Sequence, residues 1–404
     1  INHGFNVTST AMFYRTSVMY VYDGVRLSGA VDLEGSQFRY IYGSFNMTGT
    51  HKVNNTVISN SYDGMYITGS ADFTWSYIEY IYTMFSISGP TSFANGSIRY
   101  IYDGFNITSK VSMANMYTYR IYDWFLMGTV SIVDSALDYT YLFNATGTVR
   151  VYNTSHYRLY NGMLLSGDVI IELCTYRYTY VGITVTSDDV VVKDTRFDYM
   201  YDGGFHFIDS DATLDNVTID VFSGYHRGYW TTDQQGDYRD RFTMTMGIGI
   251  WVEGGNPSFT DVDVEADAYG YFYLDYTGTE QEVRVYARAV IAAVAIDSTE
   301  MMDLSGLKVH DSYMSVRSYF TATNPGMNPL YFYAELDIYS AGIAVVNYSN
   351  ITLTDVESYN NNIGSIYSPS MSGGYYGGSG YYSLRSRVQV GTGIYGDFAS
   401  SPSP

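Results

Sequence analysis

Hydrophobic and polar residues alternate along the first half of the chain, and the alternating segment recurs about every twenty residues. The stretch FNMTGTHKV (45–53) shows the pattern, since Phe45, Met47 and Val53 share one face with polar residues between them. The same pattern returns at Met65 and at Phe85. A period of two predicts a half-buried β-strand, because successive side chains of a strand point to opposite faces.

A tyrosine marks each repeat. The marks lie twenty residues apart at Tyr22, Tyr42, Tyr62, Tyr82, Tyr102 and Tyr122, and they continue at spacings of 19, 19, 20 and 21 at Tyr141, Tyr160, Tyr180 and Tyr201. We expect two strands and two turns in each unit, with Asp-Gly turns such as residues 63–64. One unit cannot bury its own apolar face, so the units must stack at ~4.8 Å per coil. The chain is therefore predicted to be all-β, a single-chain β-solenoid (parallel β-helix).

The tyrosine column is predicted to form a ladder in which equivalent rings touch. Each aromatic contact contributes about 0.5–1.5 kcal/mol beyond burial. We expect the ladder of Tyr22, Tyr42, Tyr62, Tyr82, Tyr102 and Tyr122 to be part of the core, and a sugar-stacking strip is the functional alternative. On the second strand Ile58, Asn60 and Tyr62 are predicted to share a face. Isoleucines beside the tyrosines are predicted to point outward and to form a lateral contact surface: Ile41, Ile81, Ile101 and Ile121.

The coils lengthen in the second half. A phrase such as LDNVTI recurs from Leu214, Phe259, Leu304 and Leu353, at spacings of 45, 45 and 49 residues. Insertions at 225–245, 269–288 and 315–336 are expected on one face, often the contact face of a solenoid, and they alternate well enough to pair into an extra sheet. The predicted regions are 1–220, a regular solenoid of ~20-residue coils; 221–390, a continuing β-helix with long insertions; and 391–404, a C-terminal tail.

Composition narrows the functional classes. The formal net charge is −20, from 21 basic and 41 acidic residues, so we expect no nucleic-acid partner. The longest apolar run, residues 289–296, is far shorter than the ~18 residues of a membrane span. Cys174 is the single cysteine, which leaves a buried thiol or one intermolecular disulfide. The chain begins at Ile1 without a signal pattern, and we expect a secreted, extracellular chain whose signal peptide has been removed.

The stretch GIAVVNYSNITLTDVESYNNN (342–362) resembles right-handed parallel β-helix repeats of the pectin-lyase-like superfamily. Residues 247–266 and 289–312 resemble it more weakly, so the resemblance covers about 40% of the chain. It implies the fold and says little about activity, since that superfamily includes lyases, hydrolases, tailspikes and adhesins. The first half, with short tyrosine-bearing coils and many sequons, resembles archaeal cell-surface and sheath proteins.

Ten Asn-X-Ser/Thr sequons are candidate N-glycosylation sites. They lie at Asn6, Asn46, Asn54, Asn95, Asn106, Asn144, Asn153, Asn216, Asn347 and Asn350. Asn6, Asn46 and Asn106 occupy the same place in the repeat. We expect several of the sequons to carry glycans on one side of the solenoid.

No catalytic constellation is found in the sequence, and no cofactor is predicted. Asp209, Asp211 and Asp215 are weak candidates for calcium ligands, since hard carboxylate oxygens suit that ion. A second acidic group is Asp188, Asp189, Asp194 and Asp198, and Asp261 with Asp263 is a carboxylate pair of the kind that glycoside hydrolysis uses. The alternative for all of them is turn-forming and surface aspartate. The six histidines are scattered, without metal-ligand spacing.

These observations favour a structural protein that is not an enzyme: a self-assembling subunit of a sheath, S-layer or extracellular filament, with copies of itself and N-linked glycans as partners. The first repeat starts mid-coil, which suggests an open strand edge able to pair with another copy. A carbohydrate-active β-helix enzyme (polysaccharide lyase or hydrolase) and an adhesin are the alternatives.

Overall fold

The computed structural model describes residues 3–232, 238–277, 282–297, 301–323, 331–346, 350–363, 367–372, 381–390 and 394–397. Side chains are described for residues 3–222, 248–267, 292–297, 304–313, 341–345, 352 and 354–361. Within these ranges the chain forms strands and no helix. No described segment therefore qualifies as a membrane-spanning helix.

Equivalent strands of successive coils pair in parallel with a twenty-residue register. Val25 pairs with Phe45, Val31 with His51 and Gln37 with Val57. The predicted parallel β-solenoid is confirmed, with about 11 turns of ~20 residues. The chain divides into two compact units, which are residues 1–198 with 211–217 and residues 199–210 with 218–404.

Each coil of the first unit contains three strands, so the expectation of two was wrong. The first strands are Phe5–Val7, Val25–Leu27, Phe45–Met47, Met65–Ile67, Phe85–Ile87, Phe105–Ile107, Met163–Leu165 and Ile183–Val185. The second strands are Ala11–Tyr14, Val31–Glu34, Thr50–Asn54, Ser70–Thr74, Thr91–Ala94, Val111–Ala114, Thr129–Val133, Thr148–Tyr152 and Val169–Glu172. The third strands are Ser17–Val21, Gln37–Ile41, Val57–Ser61, Tyr77–Ile81, Ser97–Ile101, Ser155–Leu159 and Thr175–Thr179.

Two longer strands, Tyr117–Leu126 and Ala136–Ala145, join the third strand of one coil to the first strand of the next. They begin where the tyrosine spacing drops from 20 to 19. Phe105 follows Gly104 at a turn, whereas its partner Trp124 directly follows Asp123. Loss of one turn residue therefore straightens the chain without disturbing the register. A final strand of this region is Val190–Met200.

A left-handed residue interrupts the third strand of every coil. These residues have φ between +55° and +65°: Tyr20, Tyr40, Asn60, Tyr80, Tyr100, Arg120, Tyr139, Arg158 and Tyr178. Each one shifts the alternation of faces by one position. Ile58 is therefore buried, Asn60 half-buried and Tyr62 exposed, and these three residues do not share one face as expected.

The same interruption corrects the predicted lateral surface. Ile41, Ile81, Ile101 and Ile121 have no exposed surface and lie in the core. They pack inside because the left-handed residue before each of them turns the following side chain inward. The isoleucines thus contribute burial, worth about 1.5–3 kcal/mol for each side chain, and no contact surface.

The core is made of columns, in which one position of each coil lies above the same position of the previous coil. Phe45, Phe85 and Phe105 belong to one column and are fully buried. Glycines form a tighter column at Gly49, Gly69 and Gly89, where a Cβ would collide with the carbonyl oxygen of the preceding coil. Glycine allows the coils to approach closely at that turn, and in the next coil Ser109 donates its hydroxyl to the Gly89 carbonyl at 2.7 Å.

A second buried column carries small polar residues, and we name it the inner hydroxyl ladder: Ser36, Thr56, Ser76, Ser135, Thr154, Cys174 and Thr195. Each residue follows a left-handed corner such as Asn55 or Trp75. The amide of Ser36 donates to Thr56 Oγ1 at 3.3 Å, and the amide of Thr56 donates to Ser76 Oγ at 3.2 Å. The hydroxyls therefore satisfy backbone groups that the corner leaves without a ladder partner.

The second unit contains longer parallel strands. They are Phe205–Ile208, Thr213–Thr232, Tyr238–Glu253, Ser258–Thr277, Glu282–Asp297, Met301–Ser305, Leu307–His310, Tyr313–Thr323, Tyr331–Val346, Asn350–Thr354, Glu357–Tyr359, Asn362–Ile363, Tyr367–Ser372, Tyr381–Val390 and Ile394–Asp397, of which Thr213–Thr232 begins in the first unit. The insertions extend these strands and pair in parallel, as Tyr238 does with Val283 and Tyr269 with Ser315.

Candidate functional site: a tyrosine face on the first unit

Nine tyrosines stack along the outside of the first unit, one from each coil. We name this column the outer tyrosine ladder and number coils 1 to 9 by its members: Tyr22, Tyr42, Tyr62, Tyr82, Tyr102, Tyr122, Tyr141, Tyr160 and Tyr180. Neighbouring ring centroids lie 4.4–5.7 Å apart, and seven of the eight pairs are stacked with interplanar angles of 29° or less. The rings touch because the parallel register places identical positions directly above one another.

The ladder is outside the core, so its expected place inside was wrong. Tyr22 is 52% exposed and Tyr62 is 37% exposed. The residue before each tyrosine points into the core, and an extended backbone then directs the tyrosine outward. The ladder stabilises the coil-to-coil contact and at the same time presents a surface.

Two further columns lie beside the ladder. One contains Arg39 and the other contains Tyr40, and with the outer tyrosine ladder they form what we call the tyrosine face. Tyr20 stacks on Tyr40 with centroids 4.9 Å apart, and Tyr80 stacks on Tyr100 at 4.5 Å. Arginines replace tyrosine at two positions of this column. The Arg158 guanidinium lies 4.4 Å from the Tyr139 ring centroid, in cation–π contact.

The stacking limits what the tyrosine face can bind. A sugar stacks on an exposed ring face, but the faces in the ladder are occupied by neighbouring rings. Only ring edges and phenol oxygens point outward, in rows that repeat once per coil. This geometry suits a flat protein surface better than a saccharide.

The ladder also changes the acidity of its members. Desolvation, together with the neighbouring tyrosines, raises the pKa of Tyr42 and of Tyr82 above the ordinary value. Burial raises the pKa of Asp138 on the same face, and the charge of Arg158 opposes that shift. Tyr42 and Tyr82 therefore remain neutral phenols at physiological pH.

Seven of the eight described sequons lie in two columns, and the expectation of glycans on one side stays a prediction. Asn6, Asn46, Asn106 and Asn144 are on the first strand, and Asn95, Asn153 and Asn216 are at the corner after the second strand. Asn54 is the last residue of the second strand Thr50–Asn54. Asn6, Asn153 and Asn216 are exposed, and the other five are half-buried. None of the eight is on the tyrosine face. Asn347 lies outside the described residues, as does the side chain of Asn350.

The acidic candidates lie in small polar networks. The Asp211 amide donates to Asp188 Oδ1 at 2.8 Å, and Asp215 forms an ion pair with Lys193 at 3.2 Å that raises the lysine pKa. Asp209 is a left-handed residue of the second unit. In the described part of the chain, no three His, Cys, Asp or Glu side chains are grouped as a metal site.

One polar group of the second unit was not predicted from the sequence. His310 contacts Asp263 at 2.7 Å and Asp311 at 3.0 Å. Burial lowers the pKa of His310, but the two carboxylates outweigh it and the net shift is upward. Burial, together with neighbouring carboxylates, raises the pKa of Glu265. Asp261 is an exposed left-handed residue. The only signal in the sequence was that residues 263 and 310 each lie on a strand in which polar and apolar residues alternate.

Cys174 occupies a position of the inner hydroxyl ladder. Its thiol donates to the carbonyl of Glu172 at 3.2 Å and is buried. Burial raises the pKa of the thiol to about 11, so little thiolate exists at neutral pH. The buried environment favours the inert thiol over an intermolecular disulfide.

No protein-family model matches the sequence, and no curated protein is similar enough to it to identify a relative.

Proposed function

We propose that this protein is a structural subunit that assembles with copies of itself on the outside of a cell, as part of a sheath, S-layer or filament. The tyrosine face carries the proposal. It is long, regular and exposed, and it holds Tyr22, Tyr42 and Tyr82 in place through stacking rather than through burial. Exposed aromatic rows of this size typically mark a protein contact.

The sequons support the same function. All eight described sequons lie outside the three columns of the tyrosine face, so glycans on them would be attached elsewhere on the coils. A glycan-bearing, acidic surface combined with one uncovered aromatic face suits a subunit that is exposed to solvent and joined to its neighbours. An extracellular location belongs to this proposal, because N-glycosylation of sequons occurs on exported chains.

The test compares assembly of the whole chain with that of two charge-matched variants. Y62E/Y102E places two carboxylates on the tyrosine face, and Y14E/W75E places two on other exposed aromatic positions, since Tyr14 and Trp75 are 58% and 57% exposed. We expect the unmodified chain and Y14E/W75E to associate with rising concentration in sedimentation and in negative-stain images. Y62E/Y102E is expected to remain monomeric.

Monomers of the unmodified chain at every concentration would overturn the proposal. Equal loss of assembly in both variants would overturn the role of the tyrosine face. Far-ultraviolet circular dichroism on each variant shows whether the strands are intact. Mass spectrometry of peptides containing Asn6, Asn153 and Asn216 from the native source tests the glycans, which we expect first at these exposed asparagines.

A carbohydrate-active enzyme is the second candidate function, and the His310 group favours it. A glycosidase uses one carboxyl group with a raised pKa and a second that is ionised. Partial desolvation raises the pKa of Glu265, which suits the first role, and Asp263 lies two residues away on the same strand, in contact with His310. Reducing-sugar release from a panel of glycans, lost in Glu265→Gln, would support this function. A chain inert on the whole panel would exclude these glycans as substrates. The adhesin alternative rests on the insertions, whose side chains lie outside the described ones.

A further inference from the structure

Four charges in one column of the tyrosine face have opposite signs about a midpoint. In the column that contains Arg39, coils 1 to 8 carry four charged residues: Arg39 in coil 2, Glu79 in coil 4, Arg99 in coil 5 and Asp138 in coil 7. Reflection about the midpoint of coils 4 and 5 exchanges Arg39 with Asp138 and Glu79 with Arg99. Each of these four charges therefore meets the opposite sign, whereas Arg177 of coil 9 lies outside the eight coils that the reflection exchanges.

This is the symmetry that an antiparallel pair of identical faces requires. In an isologous pair, residue i contacts residue j and j contacts i. When the two-fold axis lies in the interface and perpendicular to the solenoid axis, each column faces itself with the coil order reversed. We infer that the partner of the tyrosine face is a second copy of this chain, antiparallel, with the axis between Glu79 and Arg99. This inference deepens the proposed self-assembly and rests on it.

Neighbouring registers are disfavoured by like charges. A shift of the axis by half a coil one way places Glu79 opposite Glu79, and the same shift the other way places Arg99 opposite Arg99. A parallel pair places each of the four charges opposite its own copy. Like charges directly opposed reject wrong partners.

The neighbouring column, which contains Tyr40, is compatible with the same antiparallel register. Arg120 in coil 6 meets Asn60 of coil 3, which has a carbonyl oxygen to accept a hydrogen bond. Arg158 in coil 8 meets Tyr20 of coil 1, which is 51% exposed and offers an aromatic ring. Neither arginine meets another cation.

The four charges have no ion-pair partner within the described part of the chain. In addition, Arg39 Nε, Arg99 Nε and Asp138 Oδ1 are buried without a hydrogen bond. Within the chain Arg99 lies over the Tyr117 ring at 5.1 Å, and the charge of Arg158 acts on Asp138. Charged groups half withdrawn from water without an ion pair are costly, and an antiparallel copy gives each of the four a counter-charge.

The available area suits a dimer of ordinary size. Eight coils at ~4.8 Å and five residue steps at ~3.3 Å give a face of about 38 by 16 Å, or roughly 1,200 Å² over both copies. Specific interfaces begin at about that area. Flat stacked rings and paired charges make it selective.

The decisive experiment is a charge swap followed by sedimentation of the whole chain. Glu79→Arg alone and Arg99→Glu alone each create two like-charge contacts across the axis, and we expect at least about tenfold weaker dimers. The double variant E79R/R99E restores every opposite pair, and we expect an affinity within about threefold of the original. Lys52→Glu, an exposed charge outside the face, is the control and leaves the affinity unchanged.

Cysteine pairs then test the register. R39C/D138C is expected to form a covalent dimer under mild oxidation. The two positions lie five coils apart in one chain, about 24 Å, which is too far for an intrachain disulfide. R99C/D138C tests a register centred on coil 6, and it is expected to remain monomeric.

The outcomes separate this inference from the proposed function. If the chain assembles and Y62E/Y102E blocks assembly, but the double swap does not rescue or R99C/D138C forms the dimer instead, the antiparallel register is overturned and self-assembly stands. If the chain does not self-associate at all, both are overturned. Circular dichroism confirms that each variant retains its strands.

Discussion

Two columns of the first unit repeat with the same twenty-residue period, yet one is buried inside the solenoid and the other is exposed on its surface. The inner hydroxyl ladder runs through Thr56 and Ser76, which are buried and bonded to the backbone of the adjoining coil. The outer tyrosine ladder runs through Tyr62 and Tyr82, which are more than one third exposed. A conspicuous repeat therefore establishes register between coils, whereas the side of the wall on which it lies depends on local backbone geometry.

The strongest test of this contrast uses two adjacent residues, Ile81 in the core and Tyr82 on the surface. Ile81→Ala deletes a fully buried side chain and is expected to lower the free energy of unfolding by about 2–5 kcal/mol. Tyr82→Ala removes two stacking contacts from an exposed ring and is expected to lower the free energy of unfolding by about 1–3 kcal/mol. Urea unfolding followed by circular dichroism measures both. A larger loss of stability in Tyr82→Ala than in Ile81→Ala would show that the surface ladder stabilises the coil more than this core position does.

A buried histidine gives the next largest effect. His156 lies in a core column between Leu137 and Tyr176, and burial lowers its pKa to about 3. Because the folded pKa is below the unfolded value of 6.5, the neutral form is favoured on folding, and stability falls as pH drops from 6.5 toward 3. Between pH 7 and pH 4, protonation linked to His156 alone lowers the free energy of unfolding by about 3 kcal/mol.

His156→Leu isolates that contribution, since leucine already occupies position 137 of the column. The variant is expected to lose less stability than the original chain between pH 7 and pH 4 in urea titrations. Buried carboxyls such as Asp138 have raised pKa values and act in the opposite direction in both proteins, so they cancel in the comparison. An equal loss in the two proteins would show that His156 charges without penalty.

The inner hydroxyl ladder is tested by Ser76→Ala. Ser76 accepts a hydrogen bond from the Thr56 amide and donates to the Thr74 carbonyl at 3.0 Å. Its removal leaves a buried amide unsatisfied, which costs about 1–3 kcal/mol. The matched control is Ser88→Ala at an exposed position, expected within about 0.5 kcal/mol of the original chain. Equal effects at residues 76 and 88 would mean that the ladder does not stabilise the coil.

The sequence predicted the strands and the register because both have a simple period. Alternation at Phe45 and Met47 identifies a half-buried strand, and a twenty-residue repeat allows one way of stacking coils. The third strand could not be predicted, because Tyr40, Asn60 and Tyr80 adopt a left-handed conformation that glycine usually supplies. An alternation counted through such a residue assigns Ile81 to the wrong face.

The candidate site depended on the same missing geometry. The tyrosines were visible in the sequence, but their exposure followed only from the corner before them. The inner hydroxyl ladder was less visible, since Gly96 and Met116 interrupt its run of serines and threonines. The charges of the column that contains Arg39 could not be found from the sequence for a different reason. Arg39 and Asp138 align only after the 19-residue coils have been counted correctly.

The smallest expected effect is an alkaline one, and it separates the two ladders by their chemistry. Serine and threonine hydroxyls do not titrate, whereas desolvation and neighbouring phenols raise the pKa of Tyr42, Tyr82 and Tyr160. The stability from these raised values is complete below pH ~10 and is lost as pH rises through the folded pKa. We expect a late phase in the near-ultraviolet phenolate titration, with a falling urea midpoint over the same range. In Y42F/Y82F the rings still stack but two phenols are gone, so the late phase should shrink and the midpoint should fall less. A titration at the ordinary tyrosine pKa, unchanged in the variant, would mean that the ladder rings are solvated independently and do not form one continuous surface.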